Sequence, residues 1–272
     1  MPLNEDFLRT ITPRYTTRRD LGDAQRKFIA AIGPILQQTL TELGLNTDLR
    51  AIHFIAQACH ETMGLSLFEE QASGAGYEHR ADLGNTQPGD GPRYKGRGLF
   101  QLTGRKNYKS YGDKLGLDLI NHPDVAADPV NSLKIACEFW NRNNLNTYAD
   151  ADDVLAISKI INTGHNGTTM PNGLQERKDY LAKAKAALGS VNLSPSAPPQ
   201  AGAPAAGMPL LRPNDKGPPV TILQEKLVAA GYAVAVDGDY GPNTEKMVRR
   251  FQQDHKLEED AIVGAATWKA LG

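Results

Sequence analysis

Apolar residues recur at helical spacing along most of the first 189 residues. The stretch DAQRKFIAAIGPILQQTLTELGL carries them every three to four positions and ends at Gly44. Asn46-Thr47-Asp48 then offers N-cap oxygens for a helix predicted to continue to about Met63. Further helices are predicted over about 104–116, 129–145 and 174–188, and over the segment VLAISKIIN. Because strand signals are few, the pattern predicts a mainly α fold.

A stretch rich in proline and alanine divides the chain. Residues 190–208, SVNLSPSAPPQAGAPAAGM, contain four prolines and no charged side chain, which is typical of an extended, semi-flexible tether. We therefore expect one large domain, called the body, over residues 1–189 and a separate smaller domain, called the tail, over residues 209–272. In the tail, Val220, Leu223, Leu227 and Val228 repeat at helical spacing before Gly231, and two further helical stretches follow. This pattern predicts a small three-helix bundle.

Composition and charge narrow the class of protein. Of the 272 residues, 40% are hydrophobic and 22% charged, and the net charge is -1, which favours a soluble globular protein. The body holds 22 basic and 22 acidic side chains and the tail 8 and 9, so non-specific nucleic-acid binding is not expected. For the basic cluster in the body we expect a solvated face compensated by acids. Its members are Arg93, Lys95, Arg97, Arg105, Lys106 and Lys109.

The N-terminus and the two cysteines indicate where the protein is made and whether its thiols are free. No basic-then-apolar leader and no apolar run of membrane-spanning length is visible, so we expect cytoplasmic synthesis, no membrane insertion and release by another agent. Cys59 and Cys137 lie in helical patterns among apolar neighbours, which favours buried free thiols, with a disulfide between them left open. We expect the protein to be a monomer.

The segment HFIAQACHETMGLSLFEEQ, residues 53–71, carries candidate chemistry. A helical zinc-protease motif needs His-Glu-x-x-His, and position 64 is glycine, so we expect no metal. A three-ligand zinc site from His53, His60 and His79 is the weaker alternative. In a second interpretation, Glu61 and a second acid, Glu69 or Glu70, form an acid/base pair. An ordinary cluster of surface glutamates is the third alternative, since three acids in ten residues are common on protein surfaces.

The position of Glu61 on its helix supports the acid/base interpretation. The residues of one stripe are apolar and are predicted to face the core: Leu49, Ile52, Ala56, Cys59 and Met63. His53, Gln57 and Glu61 form a different stripe, so Glu61 projects away from that core.

Downstream, RYKGRGLFQLTGRKNY (residues 93–108) packs glycines around polar and aromatic side chains. Gly96 and Gly98 permit tight turns, while Gln101, Thr103 and Asn107 are suited to bind sugar hydroxyls or hold a water. A structural loop that caps the next helix is the alternative.

Three segments together resemble the active-site landmarks of glycoside hydrolase family 19, in the same order over roughly residues 45–188. These are HETMGLSLFEEQ, YEHRADLGNTQPGDGPRYKGRGLFQLTGRKNY and IINTGHNG. The resemblance implies a two-lobed, lysozyme-like, mainly α-helical fold. It also implies hydrolysis of β-1,4 bonds beside N-acetylated sugars with inversion and without a cofactor.

Site roles follow from the resemblance, position by position. Glu61 becomes the general acid and Glu70 the general base, although the plant-type pattern selects Glu78 instead. The remaining roles are water positioning by Thr103, a sugar cleft lined by Gln101 and Asn107 with Tyr94 and Tyr108 behind it, a substrate contact by Asn162, and a place near the acids for Arg177. Met63 departs from the family, which commonly has glycine there.

The tail closely resembles the type 1 peptidoglycan-binding module, with Tyr240, Asn243 and Thr244 as candidate wall contacts. Together the two resemblances predict a peptidoglycan hydrolase that cuts between N-acetylmuramic acid and N-acetylglucosamine. A phage endolysin released through a membrane hole, or a secreted antibacterial effector, fits the missing leader. A chitinase of the same fold and a non-catalytic wall-binding protein are the alternatives.

Overall fold

A computed structural model describes residues 2–189 and 210–272, and within these ranges the chain forms thirteen α-helices. The nine helices up to residue 163 are α1 (Glu5–Ile11), α2 (Arg19–Ile32), α3 (Leu36–Glu42), α4 (Asp48–Glu61), α5 (Asp90–Arg93), α6 (Arg105–Leu115), α7 (Pro129–Arg142), α8 (Leu145–Asp150) and α9 (Val154–Thr163). The remaining four are α10 (Leu174–Leu188), α11 (Pro218–Ala229), α12 (Pro242–Asp254) and α13 (Ala265–Leu271). Short 3-10 turns lie at Ala75–Tyr77, Ala81–Leu83 and Pro123–Ala127.

Extended pairing is limited to isolated bridges, such as Glu69 with Arg97 and Leu211 with Val263. The predicted mainly α fold is therefore confirmed for the two described ranges. None of the helices in these ranges is long and apolar enough to span a membrane.

The described residues form two compact units. One contains residues 2–141 and 175–189, and the other contains residues 142–174 and the tail from 210. The predicted linker, 190–208, lies outside the described residues, and the predicted domain limits stay a prediction.

The stretch read from periodicity as one helix ending at Gly44 is two helices. The chain breaks at Gly33-Pro34, between α2 and α3, because proline lacks the N–H of a continuing helix and its ring clashes with the preceding turn. Gly33 also touches α1, since a Cβ there would lie 2.8 Å from the Cβ of Glu5. The pattern missed this break, which lets α1 pack against α2.

Helix α4 is the central helix of the first unit. Thr47 caps it by accepting the N–H of Arg50, as the sequence predicts. Phe54 makes edge-to-face contacts with Phe100 and Trp140, and the apolar stripe is buried up to Cys59. The prediction that Met63 joins this stripe is wrong: its side chain is 49% exposed, because the helix has already ended at Glu61.

Both cysteines are buried free thiols in the structure. Burial raises the pKa of the Cys59 and Cys137 thiols, so neither is a ready nucleophile.

The helix predicted over 129–145 also divides. It ends at Arg142, and Asn144 turns the chain with φ of +54° before α8 begins at Leu145. Asparagine tolerates this left-handed conformation better than most residues, so the change of direction fits the local sequence.

The tail builds its own core from all three of its helices. The fully or nearly fully buried side chains are Leu211, Val220, Leu223, Leu227, Tyr240, Val248, Phe251, Val263 and Trp268. Helix α11 ends before Gly231, whose φ of +90° suits glycine. Val228, predicted to share the apolar stripe, is 47% exposed instead.

The long excursion between α4 and α6 is pinned by a buried ion pair. The Asp90 carboxylate accepts hydrogen bonds from two guanidinium nitrogens of Arg105, at 2.8 and 2.6 Å. Asn85 ties the same region together, because it donates to Tyr77 O and accepts the N–H of Arg105. The beginning of α6 is thereby fixed against the loop that precedes it.

We expect Asp90→Asn to destabilise the fold by about 2 kcal/mol at pH 7, since it removes a hydrogen-bonded charge from a side chain that is 2% exposed. The Arg105 guanidinium holds the pKa of Asp90 below its ordinary value of 3.8. The contribution is therefore complete above about pH 5 and is lost as the pH falls through the lowered pKa. Urea denaturation of parent and variant from pH 7 to pH 3 measures this difference.

Asp82→Asn is the matched control, because the Arg80–Asp82 pair is exposed. An equal loss of stability in both variants, or a loss in Asp90→Asn that does not shrink with acid, would contradict the assigned role of the buried pair.

Candidate active site

A buried arginine of α10 holds the carboxyl group of Glu61. Arg177 is 1% exposed, and its Nη2 donates to Glu61 Oε1 at 2.5 Å. Its Nη1 donates to the Oε1 of Gln57, one helical turn earlier on α4. Glu61 keeps 20% of its side chain exposed at the C-terminal end of α4. Its carboxyl group is thus fixed by the protein on one side and open to a ligand on the other.

A second pair runs beside the first between the same two helices. His60 Nδ1 lies 2.7 Å from Glu176 Oε2. His60 also borders an open pocket of about 340 Å³, whose rim includes Tyr15, Tyr180 and Lys183. Among the described residues no three His, Cys, Asp or Glu side chains are grouped to hold a metal, so His53, His60 and His79 are not brought together.

The backbone directly after Glu61 takes a left-handed path. Met63, Gly64 and Leu65 have φ of +50°, +69° and +64° in succession. Non-glycine residues there store strain of about 1–3 kcal/mol each, which the surroundings must offset. Ser66 donates to Met63 O at 2.6 Å and Gln25 to Gly64 O at 2.6 Å, so the turn is clamped from outside. It reverses the chain between Glu61 and Glu70.

Glu70 is held by groups from two loops. Its Oε2 accepts the N–H of Gly96 at 3.1 Å, and its Oε1 accepts the hydroxyl of Tyr77 at 3.1 Å. Backbone bonds fix the same place, since the Glu70 N–H donates to Gly96 O and Lys95 Nζ donates to Glu70 O.

Three candidate side chains converge over Gly96. A Cβ at this glycine would lie 2.7 Å from Gln101 Oε1, 3.3 Å from Glu70 Oε2 and 3.4 Å from Thr103 Oγ1. A carboxylate, an amide oxygen and a hydroxyl thus surround one point. Because position 96 is glycine, these three groups can approach the backbone there without meeting a side chain.

Glu69 has a different environment from Glu70. It forms ion pairs with Arg97 at 3.0 Å and Lys95 at 3.3 Å, and it bridges to the backbone of Arg97. The basic cluster is compensated by acids at several positions, with Arg105 on Asp90 and Lys109 on Asp113 as further pairs. The prediction of a solvated face does not hold throughout the cluster, because Arg97 is 8% exposed.

Glu78, the alternative second acid, supports a turn. Its two carboxyl oxygens accept the N–H groups of Gly89 and Gly91 at 2.6 and 2.7 Å. These hydrogen bonds lower the pKa of Glu78, which makes it a weaker base. Arg97 and Arg177 pair with other acids, Glu69 and Glu61.

Hydrogen bonds to backbone carbonyls hold the loop that carries Gln101. Gln101 has φ of +51°, and its side-chain amide donates to Gly98 O at 3.0 Å. Tyr108 is fully buried and donates to Lys95 O, while Asn107 is exposed and donates to Thr103 O. Tyr108 therefore supports the loop from the core, and its ring has no surface for a ligand. Burial raises its pKa to about 12.

Comparison with known proteins places these features in a family. The model of the family described as chitinase class I, glycoside hydrolase family 19, matches residues 24–159, which is half of the chain. The chain belongs to glycoside hydrolase family 19. A peptidoglycan binding domain model matches residues 216–271. The chain thus combines a family 19 domain with a match to a peptidoglycan-binding domain.

Individual relatives match parts of the chain. Chitinase 8 of Oryza sativa subsp. japonica is 40% identical over 88 residues, which are 32% of this chain and 33% of that protein. A glycosyl hydrolase family 19 domain-containing protein of Haemophilus influenzae is 38% identical over 91 residues, 34% of this chain and 44% of that one. The chain therefore spans less than half the length of these curated relatives. Among solved structures, chitinase C from Streptomyces griseus superposes with a TM-score of 0.47 at 25% identity, over 69% of this chain and 92% of that chain.

The structure assembles two groups of the residues predicted from the family 19 resemblance. Arg177 lies on Glu61, and Gln101 and Thr103 lie beside Glu70. Asn162 is exposed at the end of α9, in the other compact unit, where its Oδ1 accepts the N–H of Asn172. Its role, like those of the two acids, stays a prediction.

Sequence reasoning missed three groups at the site. The sequence placed Gln57 on the polar stripe of its helix without giving it a role. Since Glu61 lies on the same stripe, their shared position could have indicated a common partner, which is Arg177. The Tyr77 hydroxyl and the Gly96 N–H, which bind Glu70, left no signal in the spacing of residues. Both contacts depend on how distant loops pack.

The candidate wall contacts in the tail are mostly internal. Tyr240 is fully buried and donates to Ala261 O, and Thr244 is 3% exposed and contacts Gln224. Asn243 is exposed. The structure thus gives Tyr240 and Thr244 a place in the core of the tail, because the side chain of Gln224 draws the DGDYG turn inward through the N–H groups of Asp237 and Gly238.

We expect Gly96→Ala to lower kcat by about 10²-fold without unfolding the protein, because the new methyl group displaces Gln101 and Glu70 from their common point. Glycan hydrolysis and thermal unfolding measure the two effects. Gly76→Ala is the matched control, since a Cβ there meets nothing within 4 Å. Full activity in Gly96→Ala would contradict a functional role for this point.

The choice of second acid is tested by a pair of isosteric variants. We expect Glu70→Gln to lower kcat by about 10²- to 10⁴-fold, which is the usual worth of a general base. Glu78→Gln keeps most of its activity, because Glu78 serves the backbone of Gly89 and Gly91. The reverse order of the two rates would assign the base to Glu78.

Proposed function

We propose that this family 19 glycosidase hydrolyses the glycan of bacterial peptidoglycan, at β-1,4 bonds between N-acetylmuramic acid and N-acetylglucosamine. The observation that carries the proposal is the peptidoglycan binding domain match over residues 216–271 on the same chain as the family 19 match. A domain that binds the wall raises the effective concentration of the catalytic domain at an insoluble substrate.

The pocket that His60 borders, one residue before Glu61, supports a charged substrate. The pocket beside His60 is bordered by Glu176, Asp179 and Lys183 as well as by aromatic rings. Chitin is a neutral polymer, whereas peptidoglycan carries lactyl ethers and peptides with carboxyl and amino groups. The ionic side chains of this pocket suit the second polymer better.

We infer an inverting mechanism carried by two carboxyl groups. Glu61, oriented by Arg177, donates a proton to the glycosidic oxygen as that bond breaks. Glu70 takes a proton from a water held near Gly96 by Gln101 and Thr103, and this water attacks the anomeric carbon from the opposite face. The N–H of Gly96 and the hydroxyl of Tyr77 keep the Glu70 carboxylate in place for that transfer. The reaction needs no cofactor, since the oxygen and the hydrogens of one water are added across the broken bond.

A role in lysis of bacterial cells follows from this activity. We propose that the protein acts on the wall as an endolysin or an antibacterial effector, reaching the wall after release by a separate membrane pore or secretion system. The match to a wall-binding domain supports this site of action.

The deciding experiment is digestion of purified sacculi with parent and Glu61→Gln, followed by mass spectrometry of the soluble fragments. We expect muropeptides with muramic acid at the reducing end from the parent, and about 10²- to 10⁴-fold less product from the variant because it lacks the acid.

Other products would change the assignment. Glucosamine reducing ends would make the enzyme a glucosaminidase, and soluble sugar from chitin without muropeptides would make it a chitinase. Release of peptides alone, or full activity in Glu61→Gln, would overturn the glycosidic mechanism.

A further inference from the structure

The turn at the start of the tail, residues 211–215, is packed into the tail domain. Leu211 is fully buried there and exchanges two backbone hydrogen bonds with Val263. Asn214 N–H donates to Tyr240 O at 2.8 Å, and Tyr240 N–H donates to Asp215 O at 2.9 Å. The turn is therefore as well fixed as the core of the tail.

Two charged side chains of this turn, Arg212 and Asp215, form hydrogen bonds outside the tail. Their partners lie just after α7 and in the loop after α9. Asp215 Oδ1 accepts the N–H of Asn166 at 2.8 Å. The Arg212 guanidinium donates to Asn143 Oδ1 at 3.0 Å and to Gly164 O at 2.9 Å. All of these residues lie in the same compact unit.

The carboxyl group of Asp215 is buried and hydrogen-bonded. The residue is 4% exposed, and its Oδ2 accepts the N–H of Arg212 at 2.8 Å. Burial raises the pKa of Asp215, while the N–H groups of Arg212 and Asn166 and the nearby charges of Arg212 and His165 oppose that shift. A carboxyl group is this deeply buried in a protein when hydrogen bonds compensate it, and one of those bonds comes from the α9 loop.

The contacted loop adjoins the predicted substrate contact. Helix α9 ends at Thr163, and Gly164 leaves it with φ of +83°. Asn162, in the last turn of α9, is exposed and accepts the N–H of Asn172. Residues 164–172 are irregular, so side-chain contacts at both ends set their path. Arg212 and Asp215 supply two of these contacts.

We propose that Arg212 and Asp215 are positioning residues, through which the wall-binding domain holds the loop after α9 so that Asn162 can contact the glycan. The proposal rests on the proposed function and on the substrate contact that the family 19 resemblance implies for Asn162. The tail then contributes to turnover in two separable ways: it attaches the enzyme to the wall, and it orders a segment of the substrate site.

The test compares Arg212→Ala with Arg250→Ala in the full-length chain. The control removes a cation from the same domain at a position that is 69% exposed and paired only along its own helix with Asp254. Three measurements are made: hydrogen exchange of residues 162–172, kinetics on soluble peptide-free glycan strands, and co-sedimentation with sacculi. Soluble strands remove the benefit of wall attachment, so only the positioning effect remains.

For Arg212→Ala we expect faster exchange in residues 162–172 and a KM at least about fivefold higher on soluble strands, with a smaller change in kcat and parental binding to sacculi. Asp215→Asn shows the same pattern, Arg212→Lys restores part of the affinity, and Arg250→Ala matches the parent.

Unchanged exchange in both Arg212→Ala and Asp215→Asn would overturn the contact. Faster exchange with an unchanged KM would overturn the positioning role, as would an unchanged KM in Asn162→Ala. Failure of the proposed function is seen separately, as absence of hydrolysis by the parent, and the exchange measurement reads the contact even in that case.

Discussion

The guanidinium of Arg177 is the group on which the geometry around Glu61 depends. A buried cation is costly unless it is paired and hydrogen-bonded, and α4 supplies two partners of Arg177, Gln57 and Glu61, one turn apart. If helix α4 slid along α10, both of these contacts would break. The neighbouring pair of His60 with Glu176 repeats the restraint nearer the surface. The candidate acid is therefore placed by the packing of two helices, which is more rigid than placement by a loop.

The candidate base is placed by a different principle. Glu70 lies in a loop, and its carboxyl group depends on a backbone N–H and a phenol contributed by two other loops. A glycine at position 96 allows the surrounding oxygens to approach one another. The excursion that contains these loops is anchored in turn by the buried pair of Asp90 and Arg105. One carboxyl group is thus fixed by helix packing and the other by a network of turns.

Local chemistry in the sequence was sufficient to predict the helices but not their partners. Thr47 as a cap, Glu61 off the apolar stripe and the mainly α fold follow from residue type and spacing, and the structure agrees with each. The contact of Gln57 with Arg177 spans 120 positions, and spacing carries no information about it. Met63 fits the helical period yet is exposed, because the helix ends two residues earlier. Tyr240 lies in a sequence typical of an exposed turn, but the side chain of Gln224 draws that turn inward.

The left-handed run at Met63, Gly64 and Leu65 has a consequence for how such a chain can vary in length. A residue inserted between Glu61 and Glu70 advances the chain by up to about 3.3 Å and would have to pass through a turn whose carbonyls are already bound. A side chain at Gly64 would overlap the ring of Pro13, so this turn cannot be rebuilt by simple replacement. Exposed residues of the following loop, from Gln71 to Ser73, carry no such restraint. We therefore expect insertions to be tolerated after Glu70 rather than within the turn that follows Glu61, so this turn restricts how the spacing of the two glutamates can change.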